Sequence, residues 1–599
     1  MVLNRFRPFH PSLVRLATGV LARRFALNRD YVASLDPAHL LQNFYWEAGL
    51  RQTYDRNAVG HWGWESPTCQ VRGHFLGHWL SAAARIYATT ADSEIKARAD
   101  TVVAELGWCQ RENGGEWVGS IPEKYLHRIA RGQGVWAPHY VLHKTLMGLI
   151  DMHRLAGNEQ ALGILVNWAR WFHRWTAPFS RERMDDILDV ETGGMLEAWA
   201  DLYAITGKEE HLDLMRRYDR PRLFEPLLAG EDVLTDRHAN TTIPEAHGAA
   251  RAWEVTGEKR WRDIVEAYWR CAVTDRGYFC TGGQTSGEYW TPRHTLSARL
   301  GSKNQEHCTV YNMMRLADYL LRWTGAVEYA DYWERNLYNG ILAQQHPGTG
   351  MVAYFLPLRS GSTKRDGRGW GTPTEDFWCC HGTLVQAHTL HNSAVFFEDE
   401  EGLAVCQFIP SSLTWPRDGG TVRLTLSEDP QTGLHHRPGD SVFVLRVESE
   451  RPQEFSLKVR MPWWLAGKPT ISVNGGKQTL DGPPSSFALL RRTWRDDSIR
   501  IELPRRVVVC PLPDESNTMA FLDGPVVLAG LCGEERTLYG DPNDPSTFLT
   551  SDNEREGRQW RLAFRTRNQP VNFRFVPLHE IADEIYTVYF PVQPSSNTP

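Results

Sequence analysis

Two kinds of hydrophobic spacing divide this chain. Over the first 330 residues apolar positions recur every three to four residues, the period of amphipathic helices. Four stretches then end alike: MGLIDMHRLAGNEQAL, EAWADLYAITGKEEHL, AARAWEVTGEKRWRDI and RLADYLLRWTGAVEYA. Each runs from a helical pattern through a turn glycine (Gly157, Gly207, Gly257, Gly325) into a second helical pattern with a polar or acidic start. Glycine at the C-cap followed by such a first turn is how two antiparallel helices are joined. The glycines stand 50, 50 and 68 residues apart, and an earlier stretch, HFLGHWLSAAARIYATTADSEIKARAD, keeps the layout without the glycine. Helix pairs repeating at this interval build either an open solenoid or a closed toroid. About six pairs fit, and the segments between them are long and rich in Gly, His and Trp. A plain scaffold keeps its linkers short, so the pattern predicts a closed (α/α)6 barrel with a site at one mouth.

From about residue 395 the period changes to two. AVFFEDEEGLAVCQFIP, TVRLTLS, SVFVLRVES, EFSLKVRMP, TISVNG and SIRIELP alternate apolar and polar residues between Gly, Pro, Asn and Asp, which predicts short strands of an all-β sandwich. A further β segment is expected from FLDGPVVLAG onward. The predicted architecture is a multidomain α+β chain: a helical barrel over 1–395, a β-sandwich over 396–520 and a second β-rich module over 521–599.

Composition narrows the functional classes. With 66 Lys and Arg against 72 Asp and Glu the formal charge is −6, too balanced for a nucleic-acid or polyanion partner. No apolar run approaches the roughly 18–20 residues of a membrane span. The N-terminal MVLNRFRPFHPSLVRLATGVLARRF breaks every apolar stretch with Arg or His, so a cytoplasmic location is expected. Oligomeric state is left open, a homodimer included. The 24 tryptophans suit sugar-binding faces, yet large cores also consume Trp, and the core reading comes first. Seven of the ten cysteines, Cys69, Cys109, Cys271, Cys280, Cys406, Cys510 and Cys532, have no motif around them and read as small hydrophobes.

The remaining cysteines carry candidate chemistry. Glu306-His307-Cys308 and the adjacent Cys379-Cys380 supply one carboxylate and three thiols, the ligand types zinc accepts in tetrahedral sites. The spacing is no zinc-finger pattern, and three buried thiols beside an ion-paired glutamate, or a vicinal disulfide, account for it too. Glu288, in the Gly-rich TGGQTSGEYW, could protonate a leaving group as glycosidases require, or be a solvated loop residue. His74, His78, His139, His143 and His247 recur near the starts of repeat helices, which suggests a polar pocket at the barrel mouth.

These same residues carry a family resemblance. RGHFLGHWLSAAARIYATT, WAPHYVLHKTLMGLIDMHRLAGN, GEYW followed by EHC, and WCCHGT resemble the β-L-arabinofuranosidases of glycoside hydrolase families 127 and 146. MPWWLAGKPTISVNG and LDGPVVLAG extend the similarity to the family's C-terminal β-modules. The resemblance implies an (α/α)6 barrel with β-sandwiches and a Zn2+ ion held by Glu306, Cys308, Cys379 and Cys380. It implies Cys379 as nucleophile, Glu288 as acid/base, and His143, His247 and Tyr354 as sugar contacts. Such an enzyme is a retaining exo-glycosidase acting on β-linked plant oligosaccharides or glycosides. Two alternatives stand beside it: a toroid-fold sugar epimerase or inverting hydrolase, and a zinc-stabilised carbohydrate-binding protein without catalysis. Fold alone does not separate them.

Overall fold

The computed structural model of the protein describes residues 4–51, 59–190, 192–418, 420–429, 440–478, 482–556 and 559–594. Helix α1 (Val20–Ser34) is followed by five helix pairs: α2 (His74–Thr90) with α3 (Ser93–Glu112), α4 (Pro138–Ala156) with α5 (Glu159–Thr176), α6 (Met195–Thr206) with α7 (Glu209–Arg217), α8 (Ala239–Thr256) with α9 (Lys259–Trp269), and α10 (His307–Thr324) with α11 (Val327–Asn336). A last helix, α12 (Cys379–Ala387), completes the set. Among the described residues six helices form an inner ring: α2, α4, α6, α8 and α10 pack in succession, and α12 lies against both α10 and α2 to close it. Its outer companion is α1, which packs on α12 and α2. The expected (α/α)6 barrel is therefore closed by joining the chain's first helix to its last barrel helix.

The repeat turns take the geometry their glycines suggest. Gly157, Gly207, Gly257 and Gly325 sit at φ of 67°, 66°, 72° and 68°, the left-handed region that a Cβ disfavours. The early unit without a glycine makes the same turn with Ala91 at φ 59°. Asp92 then caps α3 through the Glu94 and Ile95 amides, and Asn158 caps α5 through that of Ala161. Where α2 crosses α4, Gly77 and Gly148 let the two backbones touch; a Cβ on Gly77 would run into the Lys144 carbonyl. Trp79, Trp168 and Trp199 are fully buried in this core, and Trp108 and Trp136 are the exposed tryptophans among the described residues. Tryptophan here is chiefly core material.

Two large sheets follow the barrel. In the first, Phe396–Glu398, Gly402–Val405, Asp440–Met461, Ser486–Pro504, Thr470–Val473 and Gly476–Gln478 are hydrogen-bonded in that order. The long strand Asp440–Met461 pairs over its N-terminal half with Gly420–Glu428 and over its C-terminal half with Gly402–Val405, and the sheet surrounds one core that includes Leu424, Leu445, Leu457, Trp494 and Ile501. Strands Arg7–Pro8 and Val14–Leu16 of the N-terminal segment also pair into this sheet. The second sheet starts at Val507: Val507–Leu512 pairs with Glu515–Asp523, which continues to Val526–Gly530, Arg574–Pro577 and Phe590–Gln593. No helix among the described residues is long and apolar enough to cross a membrane. All ten cysteines are free; of those without a motif, Cys69, Cys510 and Cys532 are only partly buried.

Candidate functional site

The N-terminal ends of α10 and α12 meet at one mouth of the barrel. Glu306 is the N-cap of α10 and Cys308 stands in its first turn; Cys379 and Cys380 open α12. A helix start presents partial positive charge, which favours carboxylate and thiolate there. One candidate donor atom from each of these four residues lies within 4.8 Å of the other three. Cys308 Sγ is 3.4 Å from Cys380 Sγ, Cys380 Sγ is 3.9 Å from Cys379 Sγ, and Glu306 Oε1 is 3.6 Å from Cys379 Sγ and 3.8 Å from Cys380 Sγ. Sulfur ligands about 2.3 Å from zinc would stand about 3.8 Å apart at the corners of a tetrahedron. The donor set and its spacing fit that ion. At 3.9 Å, Cys379 and Cys380 are not joined in a vicinal disulfide.

Charge supports the same fit. Three thiolates and a carboxylate cannot be buried together without compensation. In the protein alone, burial pushes Glu306, Cys308 and Cys380 well above their ordinary values. Cys379 goes the other way: hydrogen bonds from Cys308 and Cys380, and one from Tyr354, hold it well below the usual thiol range. Around the cluster, Thr383 Oγ1 donates to Cys308 Sγ at 3.0 Å, and Arg368 lies over the Tyr354 and Trp378 rings at 5.0 and 5.4 Å.

Glu288 reaches this cluster from a hairpin. Thr285–Ser286 pairs with Tyr289–Trp290, leaving Gly287 (φ 63°) and Glu288 as its two-residue turn. The segment carrying Tyr354 runs beside the start of α10, its carbonyl accepting from His307 N at 3.1 Å. The buried Tyr354 hydroxyl hydrogen-bonds the Glu288 carboxylate and lies 3.3 Å from Cys379 Sγ. Glu288 also faces His238 Nε2 at 3.7 Å. The hydrogen bonds with His238 and then Tyr354 hold its carboxyl below the ordinary value.

The histidines divide. His143 is buried, lines the lumen, and keeps Nδ1 without a protein partner. His247 spends both ring nitrogens on protein: Nε2 donates to the Asn312 carbonyl at 2.8 Å, and Nδ1 accepts from Arg315 at 3.2 Å. A sugar contact of His247, as expected, would require it to release one of these partners. His139 bonds the Tyr218 hydroxyl at 3.1 Å and packs edge-on against Trp175, which makes it part of the wall. His74 holds the Phe377 carbonyl at 2.8 Å, just before Trp378 and Cys379, and His78 bonds Gln386.

Sequence reasoning missed His238, Asn240, Asn312 and Thr383. Asn240 donates to Glu306 Oε2, and His238 is the N-cap of the same helix, α8. The one available signal was HANTT, a polar opening to a repeat helix. A cavity of about 620 Å3 in the lumen is lined by ion pairs including Arg315–Glu197, Arg85–Asp151 and Arg251–Asp201. It holds no thiol. The three thiols and Glu306 converge instead where α10 and α12 begin.

Comparison with known proteins places this geometry. Residues 13–393 match the family model described as the β-L-arabinofuranosidase, GH127 catalytic domain, and residues 402–505 match the GH127 middle domain. The non-reducing end β-L-arabinofuranosidase of Bifidobacterium longum subsp. longum is 24% identical over 533 residues, covering 77% of this chain and 75% of that protein. A solved GH127 β-L-arabinofuranosidase from Geobacillus stearothermophilus T6 is 18% identical, covers 97% of this chain and 100% of its own, and superposes with a TM-score of 0.74. Another solved structure, described as a GH127 β-arabinofuranosidase, is 16% identical over 99% of this chain and 98% of its own, with a TM-score of 0.76. At these identities the two structures speak for the fold.

Proposed function

The chain belongs to glycoside hydrolase family 127, and on that premise we propose that it is a retaining exo-glycosidase releasing L-arabinofuranose, or a related furanose, from β-linked plant glycans. The observation that carries the reading is Tyr354, whose hydroxyl touches both Glu288 and Cys379. One bridging oxygen keeps the two groups within two hydrogen-bond lengths, at most about 6 Å. Retaining glycosidases hold their acid/base and nucleophile about 5–5.5 Å apart, whereas inverting ones need more room for water.

The residues then take these roles. Glu306, Cys308, Cys379 and Cys380 would hold zinc, which when bound keeps Cys379 as a thiolate at neutral pH. The Cys379 sulfur attacks the anomeric carbon, and the bond to the leaving oxygen breaks as Glu288 gives that oxygen its proton. His238 Nε2 faces the Glu288 carboxylate at 3.7 Å. The product is a thioglycosyl enzyme. Glu288, now ionised, takes a proton from water; the hydroxide attacks the same carbon, the carbon–sulfur bond breaks, and the thiolate returns. Two inversions give net retention. His143, His247 and Tyr354 are the proposed sugar contacts.

The division into barrel (1–395), first β-module (396–520) and second (521–599) belongs to the same proposal, with Val507–Leu512 assigned to the second sheet on its pairing. A cytoplasmic location is consistent with thiols that must stay reduced to act. A panel of p-nitrophenyl furanosides and pyranosides tests the reading: the β-L-arabinofuranoside should be cleaved fastest, and methanolysis should first yield the β-methyl product. An α-methyl product would remove the covalent thiolate from the mechanism.

A further inference from the structure

Glu306 divides its carboxylate between two tasks. Oε1 faces the sulfurs of Cys379 and Cys380. Oε2 is turned away and accepts from Asn240 Nδ2 and from Thr309 Oγ1 at 3.3 Å. The amide of Asn240 is itself fixed, because Asn312 Nδ2 donates to Asn240 Oδ1 at 3.1 Å. Glu306, Thr309 and Asn312 are spaced three apart along one face of α10, while Asn240 comes from the first turn of α8. The backbone at Asn312 is tied down in turn by His247 and, through its ring, by Arg315.

We propose that Asn240, oriented by Asn312, is a positioning residue for the metal cluster: it holds Oε2 outside, so that Glu306 offers one oxygen alone. The proposal rests on the reading that the cluster binds zinc. An amide has the same outline either way round but opposite chemistry at its two ends. With its oxygen anchored on Asn312, Asn240 must point its NH2 at Glu306. A carboxylate free to turn could bring both oxygens to the ion and crowd a four-coordinate site. Partners that orient a metal ligand typically contribute 10- to 100-fold to metal affinity.

The experiment measures the zinc dissociation constant of the full chain by competition with a chromophoric chelator, with circular dichroism and thermal melting confirming the fold of each variant. Asn240→Ala should weaken zinc about 10- to 100-fold. Asn312→Ala leaves the Asn240 donor in place but unanchored, and should weaken zinc only a few-fold. Asn312→Asp is the decisive variant. Its carboxylate accepts where Asn312 donated, turns the Asn240 amide round, and sets Oδ1 against Glu306 Oε2; the loss should equal or exceed that of Asn240→Ala. Were Asn312 merely filling space, the isosteric Asp would be tolerated and Ala would be worse. Asn312→Asp added to Asn240→Ala should cost little more than Asn240→Ala alone, because Asn312 acts through that amide. Wild-type zinc affinity in Asn240→Ala, or a milder effect for Asn312→Asp than for Asn312→Ala, overturns the proposal and leaves the zinc site standing. A wild-type protein that binds no zinc removes both.

Discussion

Cys308→Ser is the substitution that tests the cluster most directly, because in the proposed mechanism Cys308 has no task beyond holding the ion. Its sulfur lies 3.4 Å from Cys380 Sγ and accepts from Thr383 Oγ1 at 3.0 Å, and the residue is 4% exposed. A serine oxygen sits closer to the backbone and does not ionise as a thiol does, so one of four ligands is lost. Four-ligand structural zinc sites bind with about 10–16 kcal/mol. An even share is about 2.5–4 kcal/mol per ligand, or about 10²–10³ in the dissociation constant. The Thr383 hydroxyl can still meet the new hydroxyl, so the fold should lose about 1–2 kcal/mol at most.

The assay has two arms. Elemental analysis after gel filtration should find about one zinc per chain in wild type and well below that in the variant. Chelator competition should then show the affinity loss. Turnover should recover to within a few-fold on adding excess zinc, since Glu288, Tyr354 and Cys379 are untouched. A Cys308→Ser protein that keeps its zinc through the competition would refute the ligand assignment. So would a variant that is refilled with zinc and still inactive, because Cys308 would then have a task beyond holding the ion.

Four further outcomes follow from the site. Glu288→Gln should keep its zinc and lose far more activity on a natural sugar linkage than on a nitrophenyl glycoside, whose leaving group barely needs a proton; Glu306→Gln should lose or loosen zinc and slow every substrate alike, and identical substrate profiles would exchange or cancel these roles. His238→Gln removes the largest influence lowering the Glu288 carboxyl, so Glu288 stays protonated to higher pH; the basic limb of kcat/KM should move up, and an unmoved or lowered limb contradicts the pairing. Tyr354→Phe should slow turnover with zinc retained, since Tyr354 links acid and nucleophile; normal kcat would make its hydroxyl incidental. His247→Phe should disturb the Asn312 and Arg315 contacts and lower the melting temperature, and as a sugar contact it should also raise KM; an unchanged KM would remove His247 from the sugar site.

The barrel was legible because its signal is local. Helical period, a C-cap glycine and a polar first turn recur in each unit, and even Ala91 makes the glycine-type turn that the sequence spelled with a different residue. The sixth pair was not legible, since α1 and α12 lie at opposite ends of the barrel segment and only tertiary closure pairs them. The cluster could be read because cysteine beside cysteine and Glu-x-Cys are rare arrangements with one dominant ligand chemistry. Asn240, Asn312 and Thr383 are ordinary residues in helices, and their roles arise only where α8, α10 and α12 converge. The histidines show the limit of pattern. Spacing put five of them near helix starts, but which way each ring turns depends on its neighbours, and His139 and His247 turn to protein partners.

Adjacency in sequence hid the difference between the two cysteines, and burial restores it. A residue that attacks carbon must be reached by substrate, while a residue that only holds an ion is better sealed. Cys380 is 0% exposed and faces inward to Cys308 Sγ and the Tyr354 carbonyl. Cys379, the first residue of α12, is partly open and receives the Tyr354 hydroxyl on the side of Glu288. Both sulfurs can touch one ion, but only that of Cys379 lies across a single phenol from the acid. An electrophilic arabinofuranosyl analogue should therefore label Cys379 and spare Cys380 on peptide mapping. Label on Cys380 would keep the mechanism and overturn the choice of Cys379 as nucleophile.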